Sequence, residues 1–192
     1  MNNPWISVSG RMRGMLVAAA LVFGVTACTQ APEEQVSRDP VAFDSGDECH
    51  VCGMLVMEFP GPKGQSVDNK TGAVRKFCST RDMLSWWLEP ENQNLRATLY
   101  VHDMANSDWH HPDDRHLINA QDAFYVIGTP LTGAMGPTLA SYGSREAAEK
   151  VAQEYDGQVL TLAEITPEIL VELMNAPHHF EGHGHPGHGQ GH

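Results

Sequence analysis

An apolar run that ends on a cysteine decides where this chain folds and how much of it can build a core. Residues Gly14 to Val25 are apolar without interruption, Arg11 and Arg13 precede them, and Val25-Thr26-Ala27-Cys28 follows directly. A basic head, a short apolar stretch and small residues at a cleavage point make an export signal rather than part of a fold. The run is too short to span a bilayer, which takes about 20 apolar residues. Small residues before a cysteine match the lipoprotein processing signal, so residues 1–27 are predicted to be removed and Cys28 to become the lipidated first residue. Two or more acyl chains hold a protein stably on a membrane surface where one does not. Thr29 and Gln30 come next, with no aspartate in the position that favours inner-membrane retention, so the expected location is the periplasmic face of the outer membrane.

Export gives the other cysteines their meaning. With Cys28 acylated, Cys49, Cys52 and Cys78 remain. An odd number of thiols in an oxidising compartment leaves one that cannot pair within the chain, and metal ligation is one reason to keep it. Processing removes two arginines and no acid from 12 Lys+Arg and 24 Asp+Glu, leaving a net charge of about −14. Nucleic acid is excluded as a partner, because phosphate backbones are held by clustered Lys and Arg. Cations and basic protein surfaces suit such a charge.

The remaining chain divides by composition. Residues 28–46 are polar and acidic with Pro32 and Pro40, and read as a flexible tether. In residues 47–104 the order strand, strand, helix, strand is predicted. Met54–Phe59 alternates like a strand before the turn Gly61-Pro62-Lys63-Gly64, Ala73–Phe77 is the second strand, Ser79 or Thr80 caps a helix over Arg81–Leu88, and Leu95–Val101 closes the unit. Residues 105–122 form a polar connecting loop. Residues 123–175 give the same order again: Ala123–Gly128, Thr138–Tyr142, a helix capped by Ser144 and stopped by Gly157, Gln158–Leu162, and a last helix opened by Pro167. Phe77-Cys78-Ser79-Thr80-Arg81 and Ser141-Tyr142-Gly143-Ser144-Arg145 enter their helices alike, which suggests an α+β fold of two duplicated ββαβ units. Duplication would make Met54 and Met135 equivalent residues ahead of two hairpins, meeting between the halves. Residues 176–192 are a separate His/Gly-rich tail in which His183, His185, His188 and His192 can collect metal without a fixed geometry.

The residues that carry chemistry are sulfurs. Cu(I) prefers thiolate and thioether at low coordination number. Cys52 and Met54, separated by Gly53, can present two sulfurs from one tight turn, because glycine accepts backbone angles that other residues resist. Two further readings stay open on residue types alone. Cys49 and Cys52 as Cys-x-x-Cys can form a disulfide, or half of a zinc knuckle whose second half would have to come from Cys78 or distant histidines. Met54 and Met57 can also be core residues of a strand. Met135, in Gly-Ala-Met-Gly-Pro, has neighbours with almost no side chain and is placed as exposed or ligating. Met104, His110 and His111 are weaker metal candidates, and Cys78 at a strand-helix junction is expected to be buried and inert.

The hexad Cys49-His50-Val51-Cys52-Gly53-Met54, the turn Met135-Gly136-Pro137 and the lipoprotein signal together resemble the NosL family, over residues from about Asp47 to Ile165. That resemblance implies two ββαβ-type units similar to the small domain of organomercurial lyases, and a Cu(I) chaperone rather than an enzyme. It implies delivery towards the copper-sulfide centre of nitrous oxide reductase, together with an ABC-type maturation complex. By position it implies Cys52, Met54 and Met135 as ligands, with Cys49 next. The competing function is a periplasmic thiol-disulfide oxidoreductase using Cys49 and Cys52, which would want the pair at a helix N-terminus.

Overall fold

A computed structural model describes residues 36–175; the predicted signal peptide, Cys28 and the tail histidines His183, His185, His188 and His192 lie outside the described residues. In chain order the elements are β1 (Gly64–Asp68), β2 (Val74–Phe77), α1 (Thr80–Trp87), β3 (Ala97–His102), β4 (Leu117–Asn119), β5 (Phe124–Ile127), β6 (Thr132–Gly133), β7 (Gly136–Pro137), β8 (Ala140–Tyr142), α2 (Arg145–Tyr155), β9 (Gln158–Thr161) and α3 (Pro167–Asn175). The fold is mixed α/β. One antiparallel sheet has the order β2-β1-β3-β4, with α1 leading from β2 to β3, and a second has the order β8-β5-β9, with α2 leading from β8 to β9. In both, the first strand is central, its hairpin partner lies on one side, and the strand after the helix lies on the other. No helix among the described residues is long and apolar enough to cross a membrane.

Both predicted caps form. Ser79 Oγ accepts from the Asp82 N–H at the start of α1, and Ser144 Oγ accepts from the Ala147 N–H at the start of α2, each satisfying a donor that the first helical turn leaves without a partner. Helix α1 buries Met83 and Leu84 completely, in a core shared with Phe77, Val101, Tyr125 and Leu139. Side chains of that size contribute about 1.5–3 kcal/mol each when fully buried. Helix α2 lays the small faces of Ala148 and Ala152 on Val126, Ala140 and Tyr142. Met104 is buried in that cluster, so it is a packing residue and not a metal candidate.

Three expectations need correction. The first concerns the strand placed at Met54–Phe59. That stretch holds a single 3-10 turn at Val56–Glu58 and an isolated bridge between Glu48 and Leu55. The opening strand is β1, starting at the glycine that reads as turn punctuation. Gly64, Gln65, Ser66 and Val67 are all buried, so the strand shows none of the alternation that marks a half-buried one. Glycine is required at its start, because a Cβ at Gly64 would lie 2.7 Å from Met83 Sδ and 2.9 Å from Met83 Cβ.

The second correction concerns the tether. Its end is docked: the Gln65 side-chain amide donates to the Val41 carbonyl and accepts from the Val41 N–H, both at 2.8 Å. Phe43 is buried beside the His102 ring, 5.5 Å between centroids, and its N–H donates to Asp114 Oδ2 at 2.8 Å. The third concerns the connecting loop, which supplies β4 to the first sheet. In the same loop Trp109 ties the Gly61 turn to β6, accepting from the Gly61 N–H at 2.6 Å and donating its Nε1–H to the Thr132 carbonyl at 3.0 Å.

Candidate metal centre

The Cys-x-x-Cys-Gly-Met hexad folds as a closed loop. The Val56 N–H donates to the Asp47 carbonyl and the Cys49 N–H to the Met54 carbonyl, at 2.9 and 2.8 Å, so the chain comes back on itself within a few residues. The Gly53 N–H returns to the Cys49 carbonyl at 2.9 Å, and Gly53 sits at φ 71°, in the left-handed region where a Cβ is costly. A single backbone bond aims the loop. The His50 N–H donates to the Lys76 carbonyl at 2.8 Å, near the end of β2, and an ion pair from Lys76 to Asp47 fastens the loop's entry. Strand β2 then runs through Phe77 to Cys78, which precedes the cap of α1.

The two segments bring three sulfurs together. Cys49, Cys52 and Cys78 place their Sγ atoms within 4.8 Å of one another, and Cys52 Sγ lies 3.5 Å from Cys78 Sγ. Cys49 and Cys78 are buried, while Cys52 is partly exposed and opens the cluster to solvent. The Cys78 thiol donates to Asp82 Oδ2 at 3.0 Å, the carboxylate oxygen that also accepts from Ser79 Oγ at 2.7 Å. The neighbouring Cys78 sulfur lowers the Cys49 thiol pKa to about 5, whereas the same contact, burial and the neighbouring Asp82 push that of Cys78 up. Burial raises Cys52 as well. The cluster thus sets one more acidic thiol beside two less acidic ones, and a bound cation would take the place of their protons.

Cys78 is buried as expected, and its sulfur is one of the three in this cluster. The odd thiol count was the signal that could have found it. Lys63 was also missed, having been read as turn punctuation. It is fully buried, and its ammonium donates to the carbonyls of Phe59, Pro60 and Cys78. Burial lowers its pKa to about 8.

The expected methionines sit at the margin. Met54 is half-buried against the main core. Met135 is 52% exposed in the tight turn joining β6 to β7. That hairpin is anchored next to the cluster: a Cβ at Gly133 would lie 3.3 Å from Ser79 Cβ, Arg81 donates to the Pro137 carbonyl at 2.9 Å, and Thr80 Oγ1 meets Thr138 Oγ1 at 3.1 Å. The two methionines are not equivalent, since Met54 precedes β1 whereas Met135 lies between β5 and β8. His110 and His111 are exposed, with their N–H groups on the Asp108 carboxylate in an Asx turn. Among the described residues, Cys49, Cys52 and Cys78 form the one group of three or more His, Cys, Asp or Glu side chains close enough to share a metal ion.

Comparison with known proteins agrees in one direction. The sequence model of the NosL family matches residues 40–170. The copper-binding lipoprotein NosL of Stutzerimonas stutzeri is 52% identical over 165 residues, covering 86% of each chain. The copper-binding lipoprotein NosL of Achromobacter cycloclastes is 36% identical over 166 residues, covering 84% of this chain and 83% of the relative. The crystal structure of the copper chaperone NosL from Shewanella denitrificans is similar with a TM-score of 0.66 at 44% identity, covering 69% of this chain and 98% of that one.

Proposed function

The chain belongs to the NosL family, and from that premise we propose that it carries copper as Cu(I) and passes it to the copper-sulfide centre of nitrous oxide reductase, working with an ABC-type maturation complex. The observation that carries this reading is the gathering of three cysteine sulfurs within 4.8 Å. Thiolates at that spacing suit a soft monovalent ion of low coordination number better than a hard one. Its relatives' description as copper-binding supports the cargo, and that of the Shewanella protein as a copper chaperone supports transfer without turnover.

Transfer has a simple form. Cys52, as the partly exposed sulfur, meets the donor first, with Met54 and Met135 as rim ligands that hold the ion while it moves between proteins. Cys49 and Cys78 then complete a site of three thiolates. An incoming acceptor ligand joins this shallow site before a donor sulfur leaves, so no free ion is released. The strongly acidic surface favours a basic docking face on the partner. A thiol-disulfide oxidoreductase is a poorer fit, because Cys52 is followed by Gly53 and a loop, while the sulfur that precedes a helix is Cys78.

The surroundings of this reading follow from the sequence. Acylation at Cys28 tethers the protein to a membrane, which its relatives' description as lipoproteins supports, and the residues after Cys28 favour the outer membrane facing the periplasm. The common strand order of the two sheets supports two ββαβ units derived from one, linked to the membrane by residues 28–46, with the tail histidines as an accessory metal collector.

Anaerobic Cu(I) titration against a chromophoric competitor tests the site in the full chain with His183, His185, His188 and His192 replaced by alanine. Cys49→Ala, Cys52→Ala and Cys78→Ala should each weaken binding severely, and Met54→Ala and Met135→Ala should slow transfer to copper-free nitrous oxide reductase. Unchanged affinity in all three cysteine variants would overturn the reading.

A further inference from the structure

Lys63 is a buried cation that forms no direct ion pair among the described residues. Its side chain is 0% exposed, and its ammonium donates to the carbonyls of Phe59, Pro60 (3.2 Å) and Cys78 (3.4 Å). Three donors meet three neutral acceptors, which fills the hydrogen-bonding capacity of the group, and its charge is met only at longer range, by Asp82. The ion pairs among the described residues engage Lys76, Arg81, Arg115 and Arg145, and none of them includes Lys63. Burying a charge without a counter-charge is among the most expensive arrangements in a protein.

The loaded cluster would supply a larger counter-charge. Three thiolates around one Cu(I) carry a net charge of −2, and the Asp82 carboxylate beside Cys78 adds more negative charge at the same place. Arg81, 3.6 Å from Asp82 Oδ1, offsets part of it from the helix side. Lys63 donates to the carbonyl of Cys78 itself. We propose that Lys63 is the buried counter-ion of the copper-thiolate cluster, a positioning residue whose fixed charge favours the loaded state over the unloaded one. This rests on the copper reading above.

The test compares Lys63→Met, Lys63→Arg and Cys78→Ala in the full chain with its tail histidines replaced by alanine, reading Cu(I) affinity by competition and the midpoint of unfolding with and without copper. Lys63→Met should bind copper about 10- to 100-fold more weakly, the range for groups that act on a metal through its ligands, and copper should raise its unfolding midpoint less than in the parent. Lys63→Arg, which keeps the charge, should recover most of the affinity. Affinity in Lys63→Met equal to that of the parent overturns the proposal, as does equal loss in the Met and Arg variants, which would assign the effect to shape. If Lys63→Met fails to fold, Lys63→Gln replaces it under the same criterion. Undiminished binding by Cys78→Ala would instead strike the three-thiolate site, so the two failures are distinguishable.

Discussion

Replacing Gly53 by alanine isolates the backbone strain on which the sulfur loop depends. The residue sits at φ 71°, and a Cβ added there would meet no atom within 4 Å, so the penalty is conformational and not steric. An L side chain in the left-handed region costs about 1–2 kcal/mol, partly offset by about 0.4–1 kcal/mol from the reduced freedom of the unfolded chain. The expected net loss is about 1 kcal/mol, or about fivefold in an equilibrium constant. Gly46 is the control: its surroundings are equally open and its φ lies outside the left-handed region, so Gly46→Ala should stabilise by about 0.4–1 kcal/mol. Urea unfolding of the copper-free protein reads the global effect, and competitive Cu(I) titration reads the local one, where opening of the loop alone would lower affinity by about fivefold. Gly53→Asn should cost less than alanine, because asparagine tolerates this region. Two alanine variants with the same sign and size in both assays would refute the reasoning.

Three further outcomes are expected. Gly64→Ala should destabilise by about 1–3 kcal/mol through overpacking against Met83, and combining it with Met83→Ala should give a total well short of the sum of the two single losses, as a double-mutant thermal-melt cycle would show. Ser144→Ala should cost about 1 kcal/mol and leave copper affinity untouched, since its hydroxyl caps α2 through the Ala147 N–H; a change in affinity would contradict that assignment. Burial holds His102 below its ordinary 6.5, against the opposing bond to Asp114, so the folded state takes up a proton less readily than the unfolded chain. Its contribution is therefore complete above 6.5 and is lost as the pH falls from there through the depressed folded value. Urea midpoints across that window should drop in the parent and drop less in His102→Gln, and equal slopes would be evidence against it.

The helices and most of the second sheet were legible in the sequence because caps and periodicity agree there. Ser79, Ser144 and Pro167 mark the starts of α1, α2 and α3 as local chemistry requires, whereas the left-handed residue that ends α2 is Asp156, one before the expected Gly157. The first sheet was misread at β1 because a central strand of Gly-Gln-Ser-Val answers to its neighbours and not to a pattern. Gly64 is dictated by Met83, and Gln65 by a backbone segment 24 residues away. The docking of Phe43 escaped notice for the same reason, its partners His102 and Asp114 being distant in the chain. At the site, the hexad was visible as a sulfur loop, but its partner was not. That Cys78 meets it follows from the bond between the His50 N–H and the Lys76 carbonyl, which no spacing announces.

Because the sulfurs come from segments 26 residues apart, cargo and folding share one equilibrium. An ion that binds only the assembled cluster stabilises the folded chain by about 2.7 kcal/mol when its free concentration is a hundred times its dissociation constant. Under the proposed function, handing copper on would return that increment, so loading would be legible in resistance to unfolding, with the unloaded chain the more readily unfolded form.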